Sequence, residues 1–180
     1  MPAYVSTLIY LMAVATVVID VALVIKILAL FHAPSRAHFI RMGQRYGLLA
    51  IFILSASAVA GTLLMQYAGG LNPCLFCWWQ RVFMYPIPVI SLIAFIKDQK
   101  ISYVADYILA LSFIGGAIAL YQHLLQVLPA GALIPCDATD DCAIRSVFEF
   151  HFVTIPWMAV TVFAALFLIA LLARRKQTAL

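Results

Sequence analysis

The chain has 180 residues, of which 66% are hydrophobic and only 10% are charged, and its formal net charge is +4. So little charge excludes a soluble globular domain, because the polar surface would be too small to face water. The basic residues lie in short segments between apolar stretches, and their distribution gives no sign of nucleic-acid binding.

Five apolar stretches are each long enough to cross a bilayer core about 30 Å thick, which takes roughly 20 helical residues. In chain order they run from Tyr4 to Phe31, Tyr46 to Tyr67, Trp78 to Ile96, Tyr103 to Val127 and Phe152 to Ala173. The first lacks the basic start and short apolar core of a signal peptide, so we predict that it spans the membrane. The sequence therefore predicts an all-α integral membrane protein with five spans.

The basic residues predict how the spans are oriented. Alternate crossings place three segments on one side, and these hold Arg36, Arg41, Arg45, Lys97, Lys100, Arg174, Arg175 and Lys176. The other two loops and their edges hold four acidic residues but only Arg81 and Arg145. Because cytoplasmic loops are enriched in Lys and Arg, we predict a cytoplasmic C-terminus and an N-terminus on the other side of the membrane.

Four cysteines fall in the two loops that are predicted to lie outside, Cys74 and Cys77 in one and Cys136 and Cys142 in the other. Three interpretations are open: a dithiol relay, structural disulfides, or a four-cysteine zinc site. Bridging a Cys-x-x-Cys loop removes little chain entropy, which argues against a purely structural disulfide. Zinc would have to compete with oxidation for the thiolates, so we favour the relay and predict no metal.

The residues around the first cysteine pair favour reactivity. Pro73 helps to start the next helix near Cys77, where the positive end of the helix dipole would favour a thiolate. Arg81 lies one turn further along the same face and adds a permanent positive charge. At the edge of a bilayer, the obvious acceptor for two electrons from a dithiol is a lipid-soluble quinone. Pro86 and Pro88 should kink this helix.

These motifs are similar to those of a known family. Residues 74–81, CLFCWWQR, with MYP at 84–86, resemble the first redox motif of the disulfide bond formation protein B family (DsbB, with its Gram-positive BdbC relatives). The likeness continues through YQH at 121–123 and residues 141–163. It implies a four-helix redox bundle at residues 45–180, preceded at 1–44 by an additional transmembrane helix and a basic cytoplasmic loop.

The resemblance also implies an activity. The family reoxidises a DsbA-like thiol oxidase of the thioredoxin fold and passes the electrons to ubiquinone or menaquinone in the membrane lipid. Carried over by motif, Cys136 would form the mixed disulfide with the partner and Cys142 would complete the loop disulfide. Cys74 and Cys77 would exchange with that pair. Electron flow in the opposite direction, as a thiol reductase, stays open because reduction potentials decide it.

The same resemblance implies a quinone site in which Cys77 faces the quinone, Arg81 holds it, and His123 takes the place of the family's quinone-site histidine. The additional helix carries Asp20, which is costly near the middle of a membrane. A functional role and an interhelical hydrogen bond are both open for Asp20, and we assign it no catalytic role. The small residues of SASAVAG, 55–61, and GGAIA, 115–119, should allow close helix packing.

Overall fold

The computed structural model describes residues 3–128, 142 and 147–174. The elements in these ranges are helices, namely α1 (Ala3–Ala29), α2 (Ala33–Tyr67), α3 (Leu75–Met84), α4 (Pro86–Ile96), α5 (Ala105–Val127) and α6 (Ile155–Arg174), with a 3-10 turn at Ile101–Tyr103. With α3 and α4 taken as one segment, five are long and apolar enough to cross a membrane. This confirms the predicted all-α architecture with five spans.

The third span is broken where the sequence predicted a kink. α3 ends at Met84 and α4 begins at Pro86, with Tyr85 between them in helical conformation. Proline has no backbone N–H to donate to the preceding turn, and its ring crowds the carbonyl four residues earlier. The helical hydrogen bonding is therefore interrupted at Pro86 while the backbone stays in helical conformation, and the prolines follow the cysteine pair along the span as expected.

α2 begins earlier than predicted. We expected a basic loop up to residue 45, but the helix starts at Ala33, so the segment that holds Arg41 and Arg45 is helical. A proline in the first turn is compatible with a helix because its missing N–H would have no partner there. At 35 residues the helix is about 52 Å long, well beyond a hydrocarbon core of about 30 Å. The extra turns form a basic extension of the span.

The main apolar core lies where α5 and α6 pack against each other and against α2 and α4. Phe163 of α6 is 1% exposed and its ring lies over Gly115 of α5, where an added Cβ would come within 2.3 Å of the ring. Only glycine allows this approach, so the predicted role of GGAIA in close packing is confirmed.

α1 packs on the outside of the other helices and contacts both α2 and α6. Val5, Ile9 and Ala13 form a second apolar cluster with residues near the start of α6, including Val153 and Met158. Further along α1, Asp20 hydrogen-bonds to side chains of α6, which confirms that an interhelical hydrogen bond satisfies this carboxylate. The additional helix is thus an integral part of the packed structure.

Candidate redox site

Three described cysteines meet at one end of the helices, which we call the cysteine end. Cys74 is the N-cap of α3 and Cys77 lies in its first turn, with their sulfur atoms 3.4 Å apart. The thiol of Cys142, which is fully buried, hydrogen-bonds to Cys74. The two cysteine-bearing regions therefore share one end of the molecule, as the sequence predicted. Cys136 lies outside the described residues.

The start of α3 positions the first pair. Cys74 has extended backbone (φ −73°, ψ 176°) and the helix begins at Leu75, two residues before Cys77. The amides of a first helical turn have no partners within the helix, and they carry the positive end of the dipole. Both sulfur atoms consequently lie beside a region of positive partial charge, which stabilises a thiolate.

The thiolate is favoured at Cys74. A hydrogen bond from the Cys77 thiol lowers the pKa of Cys74 to about 5; burial opposes this, and a hydrogen bond from Cys142 adds to it. The sequence pattern favoured a thiolate near the start of the helix at Cys77 and left open which thiol is the most acidic. When two adjacent thiols share one negative charge, the thiolate forms at the sulfur that accepts the hydrogen bond from the other. The sequence does not specify which sulfur that is.

Gln122 of α5 is a site residue that sequence reasoning missed. Its Nε2 lies 3.2 Å from the Cys74 sulfur and 3.6 Å from the Cys77 sulfur, while its Oε1 accepts a hydrogen bond of 2.6 Å from Gln80. Gln126, one turn further along α5, donates to the backbone carbonyl of Cys142 at 3.2 Å. Two glutamines four residues apart on an apolar helix could have indicated the site from the sequence. Their side-chain amides need hydrogen-bond partners when they are buried.

Arg81 is buried one turn below Cys77. Its guanidinium donates to the side-chain oxygen of Gln66 and, at 3.3 Å, to the backbone carbonyl of Thr62, both on α2. It also lies 5.1 Å from the centre of the Trp78 ring, a cation–π contact that helps to hold it. These neutral partners orient the guanidinium without cancelling its positive charge.

Cys77 and Arg81 line the same cavity, which has a volume of about 500 Å³. Gln122 lines its polar end, and apolar side chains such as Met84 and Met158 line its body. Pockets of some 300–1,000 Å³ with an apolar wall and a few convergent polar groups are typical of small-molecule sites. The residues present fit a quinone, because a guanidinium suits its polar oxygens and the apolar walls suit its ring and tail.

The structure does not bring His123 into this cavity. Its Nδ1 lies 2.9 Å from the hydroxyl of Thr154, and its ring packs 4.8 Å from the ring of Trp157 at the start of α6. The cavity lining includes its neighbours Gln122 and Gln126 instead. The role of His123 as a quinone contact therefore stays a prediction. Among the described residues, no group of three or more His, Cys, Asp or Glu residues could hold a metal ion.

Comparison with known proteins places most of the chain in one family. Residues 44–173, more than two thirds of the chain, match the family described as "Disulfide bond formation protein DsbB". The chain belongs to the DsbB family. The match begins inside α2 and runs through α3, α4 and α5 into the last turn of α6, and α1 lies before it.

Individual relatives of the DsbB family cover most of the same residues. The chain is 35% identical to the SPbeta prophage-derived disulfide bond formation protein B of Bacillus subtilis over 123 residues, which are 68% of this chain and 82% of the relative. It is 33% identical to the probable disulfide formation protein C of Halalkalibacterium halodurans over 72% of this chain and 94% of the relative. No solved structure gives a significant match.

Proposed function

We propose that this member of the DsbB family is a membrane thiol:quinone oxidoreductase. It would reoxidise a DsbA-like thiol oxidase of the thioredoxin fold and pass the electrons to ubiquinone or menaquinone. The observation that carries the proposal is the position of the Cys74–Cys77 pair between Cys142 and the cavity. Cys74 hydrogen-bonds to Cys142 on one side, and its partner Cys77 lines the cavity with Arg81 on the other.

The proposed relay is a series of thiol–disulfide exchanges. A thiolate of the reduced partner attacks Cys136 of a Cys136–Cys142 disulfide, forms a mixed disulfide and releases Cys142. The Cys142 thiolate attacks Cys74 of a Cys74–Cys77 disulfide and releases Cys77. The second partner thiol then displaces Cys136 and leaves the partner oxidised. Cys136 attacks Cys142, re-forms the loop disulfide and leaves Cys74 and Cys77 reduced. Each exchange breaks one S–S bond and forms another.

The remaining step returns the first pair to a disulfide. Quinone, as the electron acceptor, supplies a sink for the two electrons and two protons that this oxidation releases. Cys77 lines the cavity, and the buried guanidinium of Arg81 would stabilise negative charge on an oxygen bound there. Gln122 would keep both sulfur atoms in place through its amide. His123 enters the proposal on the family resemblance alone.

We also propose an orientation and a division of the chain. The cysteine end would face outside the inner membrane of a bacterium and the C-terminus the cytoplasm. Support comes from the opposite end, which holds the described basic residues Arg41 and Arg45 in the first half of α2, Lys97 and Lys100 after α4, and Arg174 at the end of α6. Residues 45–180 would form the redox unit, with residues 1–44 as an addition to it.

The test is quinone reduction by the purified protein in detergent, with a reduced thioredoxin-fold oxidase as the electron donor. We expect the wild type to accelerate the loss of quinone absorbance. Cys77→Ser and Cys136→Ser should each reduce the rate to background, because either change removes one sulfur from the relay. Turnover that persists at the wild-type rate in either variant would contradict the assigned order of exchange.

A further inference from the structure

One wall of the cavity comes from α1, which lies outside the part of the chain that matches the family. Met12, Thr16 and Ile19 are spaced four and three residues apart, so they share one face of this helix, and all three line the cavity. Thr16 is 5% exposed and its hydroxyl donates to the carbonyl of Met12 within the helix, at 2.8 Å. Because the Thr16 hydroxyl donates within its own helix, α1 presents a largely apolar face to the cavity.

α1 covers the side of the cavity between α2 and α6. Thr62, Ala58 and Leu54 of α2 line the cavity at successive turns, and Met158 and Val162 of α6 do so from the other side. α1 contacts both of these helices. A four-helix unit without α1 would lack these side chains at the boundary between the cavity and the lipid.

Asp20 fixes α1 to α6. Its Oδ2 accepts a hydrogen bond of 3.0 Å from the indole Nε1 of Trp157, and its Oδ1 accepts one of 2.7 Å from the hydroxyl of Thr161. A carboxylate inside a span is costly unless donors satisfy it. These two donors lie one turn apart on α6, and Asp20 lies one turn beyond Thr16. The contact thus sets both the position and the rotation of the helix that carries the wall.

We propose that α1 is a wall of the quinone site and that Asp20 is the positioning residue that holds this wall in place. The inference rests on the proposed function for the identity of the occupant, a membrane quinone. Its consequence is selective: the wall acts on quinone binding, while the exchange with the partner protein takes place at the cysteines and needs no residue of α1.

The first test changes the anchor and measures steady-state kinetics with a short-tailed ubiquinone analogue. Asp20→Ala removes both hydrogen bonds and should raise KM for the quinone about tenfold, while Asp20→Asn, which retains one acceptor oxygen, should raise it about threefold. The kcat/KM for the reduced partner, measured at saturating quinone, should stay at the wild-type value. Asp106→Asn, which removes a carboxylate on α5 far from the cavity, is the matched control and should change neither.

The second test changes the wall itself and measures quinone binding directly. Ala15 lines the cavity, whereas Val18 lies on the same helix with 61% of its surface exposed. Ala15→Phe should fill part of the cavity and weaken binding of the quinone analogue about tenfold, and Val18→Phe should leave it unchanged. The readout is quenching of tryptophan fluorescence on titration, since Trp78 lies against Arg81 beside the cavity.

The outcomes separate this inference from the proposed function. If the wild type reduces quinone but Asp20→Ala and Ala15→Phe leave KM and Kd unchanged, the wall is refuted and the relay stands. If the wild type binds quinone without reducing it and both variants weaken binding, the relay is refuted and the wall stands. A lower melting temperature in Asp20→Ala with unchanged quinone KM would make the contact merely structural. If Asp20→Ala does not fold, Asp20→Asn and Ala15→Phe decide the matter.

Discussion

The cysteine end and the apolar core below it differ in what they bury: polar side chains beside a cavity in the first, and apolar side chains in the second. At the cysteine end, Gln80, Arg81 and Gln122 are all buried, hydrogen-bond to neighbouring groups, and border a cavity. In the core, Leu166 and Ala170 of α6 are completely buried among apolar side chains. Between helices in a membrane, such packing supplies much of the attraction, since the hydrophobic effect is weak there.

The difference separates stability from chemistry. Buried amides and a guanidinium must find partners in a medium without water, and a cavity forgoes contacts that a packed core would make. The cysteine end accepts both costs, whereas Leu166 and Ala170 pack among apolar side chains and do not line the cavity. We therefore expect substitutions at the cysteine end to alter catalysis more than stability, and substitutions in the core to do the reverse.

Gln122→Leu should give the largest catalytic loss. The leucine cannot donate to the sulfur atoms of Cys74 and Cys77, and a hydrogen bond to a charged group is worth about 1.5–3 kcal/mol, so kcat should fall roughly ten- to a hundredfold. Steady-state quinone reduction measures the effect, with the melting temperature of the same sample as a check on folding. Gln99→Leu, outside the helices, is the control. A full-rate Gln122→Leu enzyme would show that the amide does not assist the relay.

Leu166→Ala should lower the stability of the protein through the apolar core. Removing this buried side chain leaves a void, which in protein cores costs about 2–5 kcal/mol of the free energy of unfolding. Thermal unfolding in detergent should show a clear decrease, whereas kcat of the folded fraction stays near that of the wild type. Leu120→Ala, at a position that is 42% exposed, should change the melting temperature far less. Equal losses in the two variants would contradict a core that is closely packed at Leu166.

The pH dependence of alkylation at Cys74 tests the cysteine end at a single sulfur atom. Its lowered pKa of about 5 means that the thiolate is present above that pH and is lost as the pH falls through it. Alkylation of Cys74 by iodoacetamide in the reduced protein should therefore be half-maximal near pH 5. In Cys77→Ala the donating thiol is absent, so the midpoint should move up towards about 8.5, the ordinary value for cysteine. A midpoint that stays near pH 5 would assign the shift to another group.

The sequence predicted the spans and the end at which the cysteines meet, because both follow from local patterns. Apolar length defines a span, and the four-residue spacing of Cys77 and Arg81 puts them on one face. The bridging position of Gln122 depends instead on how α5 is rotated against α3. His123 shows the same limit: one residue along the helix from Gln122, it faces Thr154 and Trp157. Such rotations are set by packing between helices that sequence spacing does not encode.

Asp106→Asn should have the smallest effect of the four changes. Asp106, in the first turn of α5, pairs with Arg174 at 2.9 Å, but the two side chains are 63% and 57% exposed. Exposed ion pairs are worth about 0–1 kcal/mol, because water and salt screen them. The melting temperature should therefore fall slightly at low salt and recover the wild-type value at high salt.

The contrast with Asp20 makes this small effect informative. Both carboxylates join α6 to another helix, but Asp106 does so with an exposed cation and Asp20 with two uncharged donors inside the span. Screening by salt should act on the first and leave the second unaffected, since ions do not enter the hydrocarbon. A salt-sensitive Asp20 variant would mean that water and ions reach Asp20 inside the span, and a loss in Asp106→Asn as large as in Asp20→Asn would contradict the weakness of the exposed ion pair.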